Sequence, residues 1–315
     1  MPSEKDQSTV VAWLLEGDPA IRWQTMRDIL RCSTEEWSAE RELVAEKGWG
    51  HEFLGKQNAD GHWGRGFYRP KWTCTTYTMQ VLRSIGIPPR HQSAMRACRL
   101  YVEESIFQDG GINFWHPRRK TSETCVSGMV LSQLAYFDPG EKAIDRIVDY
   151  LLSEQMPDGG WNCERPEGAT HSSFHTTICV LEGLREYVRS EGSKTSKVME
   201  AEARGREFFL QHSLYRSSTT GEIVDQKMTR FYFPPRWRHD VLRTLDYFQL
   251  AGALRDERLR DAIDMVVRRR GKDGRWLLPS GHRGEVFFEM ETPGKPSRWN
   301  TLRALRVLSW WERKP

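Results

Sequence analysis

Apolar residues in this chain fall three and four apart, over and over. Ile144, Ile147, Val148, Leu151 and Leu152 mark one stripe of a helix. Matching stripes follow later in each unit: Met79 and Leu82; Met129, Leu131 and Leu134; Ile178, Leu181 and Leu184; Val241, Leu242 and Leu245; Leu302, Leu305 and Leu308. These second helices are expected to begin near Trp72, Glu123, Phe174, Trp237 and Trp299. The N-terminal segment adds a further pair. Val10, Val11, Trp13, Leu14 and Leu15 form a short helix, Gly17-Asp18-Pro19 a turn, and residues 21–30 a second helix with Pro19 at its start.

Polar turns separate the paired stripes, and they repeat as text. Gln57-Asn58-Ala59-Asp60-Gly61-His62-Trp63 returns as Gln155-Met156-Pro157-Asp158-Gly159-Gly160-Trp161. Gln108-Asp109-Gly110-Gly111 and Lys272-Asp273-Gly274-Arg275-Trp276 are shorter copies, and Thr220-Gly221-Glu222 is a decayed one. Each Asp-Gly pair is a turn signal. Six helix pairs with no convincing strand imply one all-α closed ring, residues 1–315, in which each repeat buries its apolar face on its neighbours. The longer connections, 213–235 and 277–295, lie over one rim. Phe231-Tyr232-Phe233 and Val286-Phe287-Phe288 are expected there as short extended pieces or a lid.

Composition narrows the classes. With 315 residues, 38% hydrophobic and 29% charged, the chain is neither disordered nor a disulfide mini-protein. No run of about 18 apolar residues is present, so no transmembrane helix is expected. Met1 to Gln7 is polar, without an apolar signal region, which points to a cytoplasmic protein. A net charge of +4, with no concentrated basic stripe, gives no case for nucleic acid. Six scattered cysteines without a CxxC pair fit a reducing compartment. Thirteen tryptophans either line a cavity or fill helix interfaces, and position decides which.

The Gln-x-x-Asp-Gly-x-Trp turn between paired helices resembles the prenyltransferase and squalene cyclase family, over about residues 8 to 312. The resemblance implies an (α/α)6 toroid, with inner helices around a central cavity and outer helices around them. The Asp-x-Asp-Asp acid motif of class II terpene cyclases is absent, and squalene cyclases are about twice this length, so proton-initiated cyclisation is disfavoured. Protein prenyltransferase β-subunits bind zinc through Asp-x-Cys at one inner-helix start and His at the next. Here Glu123-Thr124-Cys125 and His175-Thr176-Thr177-Ile178-Cys179-Val180-Leu181-Glu182-Gly183-Leu184 stand in those places, and Lys120 stands where the family puts a lysine facing a diphosphate. Glu123 replaces the family's Asp, Val126 its Tyr, and no partner subunit is identifiable.

Cys125 and His175 lie about one repeat apart, which places them at one depth on adjacent inner helices. A thiolate and an imidazole suit Zn2+, with Glu123, Cys163 and His171 as further donors. The alternative is that Cys125 is packing and His175 a helix-start cap. Three protein ligands leave a catalytic position, whereas four close a structural site. Inner-helix starts are also expected to present Trp72, Tyr77, Phe174, Trp237 and Trp299 to an apolar substrate, and Arg119 with Lys120 to its anionic head. Arg118, Arg69 and Lys71 add positive charge. His239 and Asp240 are a possible acid/base pair, although sequence neighbours on a helix point about 100° apart. The leading expectation is a zinc-dependent enzyme of prenyl-transfer type, acting on a small apolar or isoprenoid-like molecule with an anionic head. A zinc hydrolase of esters or phosphoesters, with Glu123 as base, is one alternative. A binding module with structural zinc is the other.

Overall fold

The computed structural model describes residues 4–313. Thirteen helices dominate: α1 (Glu4–Leu15), α2 (Pro19–Thr25), α3 (Thr34–Glu46), α4 (Gly48–Leu54), α5 (Thr75–Ile85), α6 (Gln92–Glu104), α7 (Thr124–Phe137), α8 (Ile144–Ser153), α9 (Phe174–Arg189), α10 (Thr195–Gln211), α11 (Val241–Leu250), α12 (Arg260–Arg268) and α13 (Arg298–Glu312). Helices α2, α5, α7, α9, α11 and α13 form the inner ring, and α13 packs back on α2 to close it. The outer ring is α1, the broken pair α3/α4, α6, α8, α10 and α12. The expected architecture of six inner and six outer helices holds, with one outer member split in two. Helix α2 runs on into a π turn, Met26–Leu30, as far as the sequence pattern reached.

The repeated turns explain why the rings hold. Trp63, Trp161 and Trp276 are fully buried. Each indole donates from Nε1 to a carbonyl ten residues back, on Phe53, Leu151 and Val266, at 2.7, 2.7 and 2.8 Å. Each of their backbone amides donates to a threonine Oγ1 on the following inner helix: Thr75, Thr177 and Thr301, at 3.1, 3.0 and 3.1 Å. One tryptophan therefore staples an outer helix to the next inner one, satisfying polar groups that burial would otherwise penalise. Gln57 and Gln155 finish the unit. Each side-chain amide closes its own turn, on Gly61 O and Gly159 O, and reaches the next outer helix, at Ser93 O and Ala201 O, all at 2.7–2.8 Å. The turn glycines Gly61, Gly110, Gly159 and Gly274 have φ of 92, 90, 94 and 78°, the region glycine enters without a Cβ penalty. The decayed copy keeps the same isolated bridge, Arg216 to Ile223, that Gln57 makes with Trp63.

Helices α7 and α9 approach most closely, through Gly128 and Gly183. A Cβ on Gly183 would sit 2.4 Å from the Gly128 carbonyl oxygen, so side chains are excluded at this crossing. The long connections differ from expectation in detail. Residues 231–233 and 286–288 are not strands. The two short strands pair Trp276–Leu277 with Pro296–Ser297 at the base of the 277–295 loop. Phe287 and Phe288 fold down onto Phe53, with ring centroids 6.3 and 4.6 Å away, and cover the rim. No helix among the described residues is long and apolar enough to cross a membrane.

Candidate active site

Loops 65–73, 113–122, 162–173 and 230–239 lead into four inner-helix starts and bring them to one rim. At its centre, Lys71 Nζ stands 5.1, 5.5 and 5.9 Å from the ring centroids of Tyr68, Trp72 and Trp237. Arg236 lies over Trp72 at 5.3 Å and Arg238 over Trp237 at 4.5 Å. Among the described residues, none of these three cations makes an ion pair. Burial lowers the Lys71 pKa, with Arg69 and Arg238 adding repulsion. Burial also brings Arg236, 8% exposed, down to about 10. Tyr77 donates its hydroxyl to Tyr68 at 2.8 Å and meets Trp72 edge-on at 4.7 Å. Trp72 Nε1 donates to His282 O at 3.0 Å, which ties the covering loop to the box.

Beneath that loop is a cavity of about 190 Å3, lined by Trp72, Phe233, Arg236, His282, Phe287 and Phe288 among others. Phe233 stacks on Trp299 at 4.3 Å. Together they form a partition, for on its far side a second cavity of about 180 Å3 is lined by both and by residues from all six inner helices.

The proposed metal donors are arranged otherwise than expected. Cys125 and Cys163 do come together, and their mutual interaction pulls Cys163 down to about 7 while raising Cys125. His175 is engaged elsewhere. Its Nδ1 accepts the His239 backbone N–H at 2.9 Å, and burial with Arg238 and Arg243 brings its pKa to about 4. A neutral ring that accepts at Nδ1 carries its proton on Nε2, so neither nitrogen offers a lone pair. The Glu123 carboxylate is taken by Arg119 Nη1 at 2.7 Å, which also removes it as a free base. His171 is exposed. Among the described residues no three His, Cys, Asp or Glu side chains gather as a metal site. The donors as arranged do not fit zinc.

The remaining expected residues divide. Trp72, Tyr77 and Trp237 line the box, and Trp299 is in the partition. Phe174 instead packs against Phe208, Phe209 and His212, between the two rings. Lys120 is exposed, and Arg119 is spent on Glu123, Glu167 and Cys163 O. His239 and Asp240 do not work on each other. His239 Nδ1 meets Thr244 Oγ1 at 2.8 Å, whereas Asp240 caps α11 by accepting from Arg243 N at 2.9 Å. Burial raises the Asp240 carboxyl to about 6, with Arg303 drawing it back. Sequence reasoning gave Lys71 only a supporting place. It missed Tyr68, Arg238 and His282. The signal that was present is the clustering of Arg and Lys next to Trp at successive inner-helix starts: Lys71-Trp72 and Arg236-Trp237-Arg238.

Three comparisons bear on this geometry. A drimenyl diphosphate synthase from Streptomyces showdoensis is 26% identical over 127 residues, which is 40% of this chain and 24% of the synthase's own length. A type II terpene cyclase from Scytonema, solved with geranylgeranyl dihydroxybenzoate as substrate, superposes with a TM-score of 0.52 over 98% of this chain and 96% of its own, at 15% identity. The fold shared with the Scytonema enzyme is the α/α toroid. The toroid is shared more widely. A family 88 glycosyl hydrolase from Bacteroides vulgatus gives a TM-score of 0.55 at 9% identity, covering 98% of this chain and 99% of its own. No family model matches the toroid described here.

Proposed function

We propose that this protein is an isoprenoid-processing enzyme, whose substrate carries an anionic head held by Lys71, Arg236 and Arg238. One observation carries the reading. Three cations without ion-pair partners among the described residues are gathered where the inner helices begin. Helix N-termini are already positive, so cations placed there are opposed by the backbone field. Unpaired charge in an aromatic, partly desolvated box is costly unless an anion completes it. Guanidinium groups favour a phosphate or carboxylate through paired N–H donors, and Lys71 adds a point charge. The walls suit the rest of such a molecule. Trp72, Tyr77, Trp237, Phe233, Phe287 and Phe288 present apolar faces, and aromatic faces also attract cationic centres. The synthase relative is named for a diphosphate-bearing terpenoid and the Scytonema enzyme for a geranylgeranyl substrate, and both agree with an apolar tail joined to a polar head.

In this reading Lys71, Arg236 and Arg238 orient the head, and the covering loop excludes water from the apolar part. Trp72 anchors that loop through His282 O. The test is incubation of the purified protein with farnesyl and geranylgeranyl diphosphate, with products followed by mass spectrometry. A tighter complex with the diphosphates than with the free alcohols, together with conversion of one of them, supports the reading. Equal, weak affinity for both forms and no product from any isoprenoid would overturn it.

A further inference from the structure

The chamber behind the Phe233–Trp299 partition has a different character. Eight arginines line it: Arg27, Arg41, Arg83, Arg185, Arg189, Arg243, Arg303 and Arg306. They come from five of the six inner helices and from α3. Facing them are the carboxylates Glu182, Glu186 and Asp246, with Asp28 reaching Arg306 from behind at 2.8 Å. Eight cations thus meet four anions. The carboxylates are also unevenly shared. Arg243 takes Glu182 by both nitrogens, at 2.7 and 2.8 Å, Arg185 takes Glu186 through Nη1 at 2.8 Å and Arg27 takes Asp28 at 2.6 Å, so that Arg83 has only the longer contacts of 3.3–3.5 Å with Glu186 and Glu182. Arg303 stands 3.5 Å from Asp246, which Arg306 holds at 3.1 Å.

A second, independent observation points to a missing acceptor. Among the described residues the Nε groups of Arg83, Arg185 and Arg306 are buried without a hydrogen-bond partner, three donors against one unpartnered acceptor in the chamber lining, Asp246 Oδ1. Orphaned donors on charged groups are among the more expensive defects a protein interior holds. The negative ends of the inner helices offset part of the charge excess, but carbonyl groups satisfied within a helix do not supply acceptors to these Nε atoms. Access is graded. The Arg189 side chain at the mouth is 57% exposed, Arg27 30%, Arg83 13% and Arg306 5%.

We propose that this chamber is a second anion site, separate from the rim, for a compact oxyanion carrying two or more negative charges, of the phosphate or diphosphate class. Arg83 and Arg185 take the oxygens nearest the mouth. Arg303 and Arg306 hold the deep end. The oxyanion arrives either free or as the head of a larger molecule, and the experiment separates the two sources.

The test is isothermal titration of the full chain with inorganic phosphate, inorganic diphosphate and geranylgeranyl diphosphate, on wild type and two sets of variants. Lys71→Gln with Arg238→Gln disarms the rim. Arg83→Gln and Arg185→Gln, singly, disarm the chamber. Expected is a diphosphate-binding event that survives the rim pair and weakens at least tenfold in each chamber variant. Should Arg83→Gln fail to fold, Arg185→Gln and the exposed Arg189→Gln carry the same comparison. A free ion is the ligand if inorganic diphosphate binds the rim-disarmed protein as tightly as the isoprenoid form does, and a head group if the isoprenoid form alone binds there. Diphosphate binding indifferent to Arg83→Gln, Arg185→Gln and Arg189→Gln would overturn the proposal and leave these arginines as internal counter-charges. That result leaves the isoprenoid reading standing. Loss of isoprenoid turnover with chamber binding intact would do the reverse.

Discussion

The two ends of the lumen are both rich in cations, yet they are built oppositely. At the rim, Lys71, Arg236 and Arg238 make no ion pair among the described residues and rest on the faces of Tyr68, Trp72 and Trp237. At the far end, arginines are wired to carboxylates, with Arg243–Glu182 at 2.7 Å and Arg306–Asp28 at 2.8 Å. The helix field sharpens the contrast for Arg83 and Arg189, which stand in the last turns of α5 and α9, but not for Arg243, which stands in the first turn of α11. Pairing, rather than the number of charges, therefore separates a surface waiting for a ligand from a network that holds helices together. The far end does both, because among the described residues the Nε groups of Arg83, Arg185 and Arg306 are left unpartnered within its paired network.

The largest effect that distinguishes the ends is on stability. Arg243→Leu strands Glu182, whose carboxyl burial pushes up and Arg243, with Arg83 and Arg303 behind it, pulls net below its ordinary value. It also leaves the Arg238 carbonyl without its donor, whereas Arg236 O keeps Gln80 Nε2 at 2.8 Å. Breaking a buried pair from one side costs about 3–5 kcal/mol. Arg119→Leu at the rim breaks pairs with half-buried Glu123 and exposed Glu167 and costs ~1 kcal/mol or less. Urea denaturation of both variants measures the difference, and equal losses would erase the contrast.

Ligand affinity sharpens it next. Lys71→Met removes one charged contact, worth about 1.5–3 kcal/mol or roughly ten- to a hundredfold in affinity for a charged-headed isoprenoid. The neutral alcohol should bind Lys71→Met as it binds wild type. Tryptophan fluorescence titration reads both, and parallel loss for the two ligands would mean that Lys71 supports the box rather than the head.

A smaller effect follows from protons. His175 and His282 both titrate at about 4 in the folded chain, the first through burial, Arg238 and Arg243, the second through burial, Arg238 and Arg236. An unfolded histidine takes its proton near 6.5. Between about pH 6.5 and 4 the unfolded chain therefore binds more protons at these sites, and stability falls as the pH falls. Asp240, raised to about 6, acts in the opposite sense: its contribution falls as the pH rises from the ordinary carboxyl range through about 6. Two histidines outweigh one carboxyl, so the net slope is loss on acidification. His175→Gln should flatten it, and an unchanged slope would show that His175 is not the group titrating.

The smallest expected signal is metal. With His175 holding the His239 amide and Glu123 holding Arg119, elemental analysis should find zinc well below one per chain. One zinc per chain, lost in Cys125→Ser, would require His175 to let go of that amide and would restore the zinc expectation.

How much of this was legible from sequence depends on distance along the chain. The turns were plain because they are local. Gln57 closes onto Gly61 and Trp63 reaches Phe53, all within one repeat. The Cys125–Cys163 contact was legible for the same reason, since neighbouring repeats set it. What escaped the sequence is what ring closure assembles. Lys71, Arg238 and His282 come from three separate connections, and no spacing rule links them. Phe174 was assigned one helical step wrongly, because a single residue turns a side chain by about 100°, from the lumen to the outer ring. Arg83, Arg185 and Arg306 each sit in an amphipathic helix, where an arginine ordinarily reads as solvent-facing. In a closed ring the inner helices have no solvent face, so those arginines end in the lumen.

The most direct measurement is a crystal structure of the protein with a non-hydrolysable isoprenoid diphosphate bound. The account predicts the isoprenoid chain under the 277–295 loop against Trp72 and Phe233, with its head within hydrogen-bond distance of Lys71, Arg236 and Arg238. A head seated on exposed Lys120, or a ligand bound outside the lumen with the Lys71 box unchanged, would contradict it.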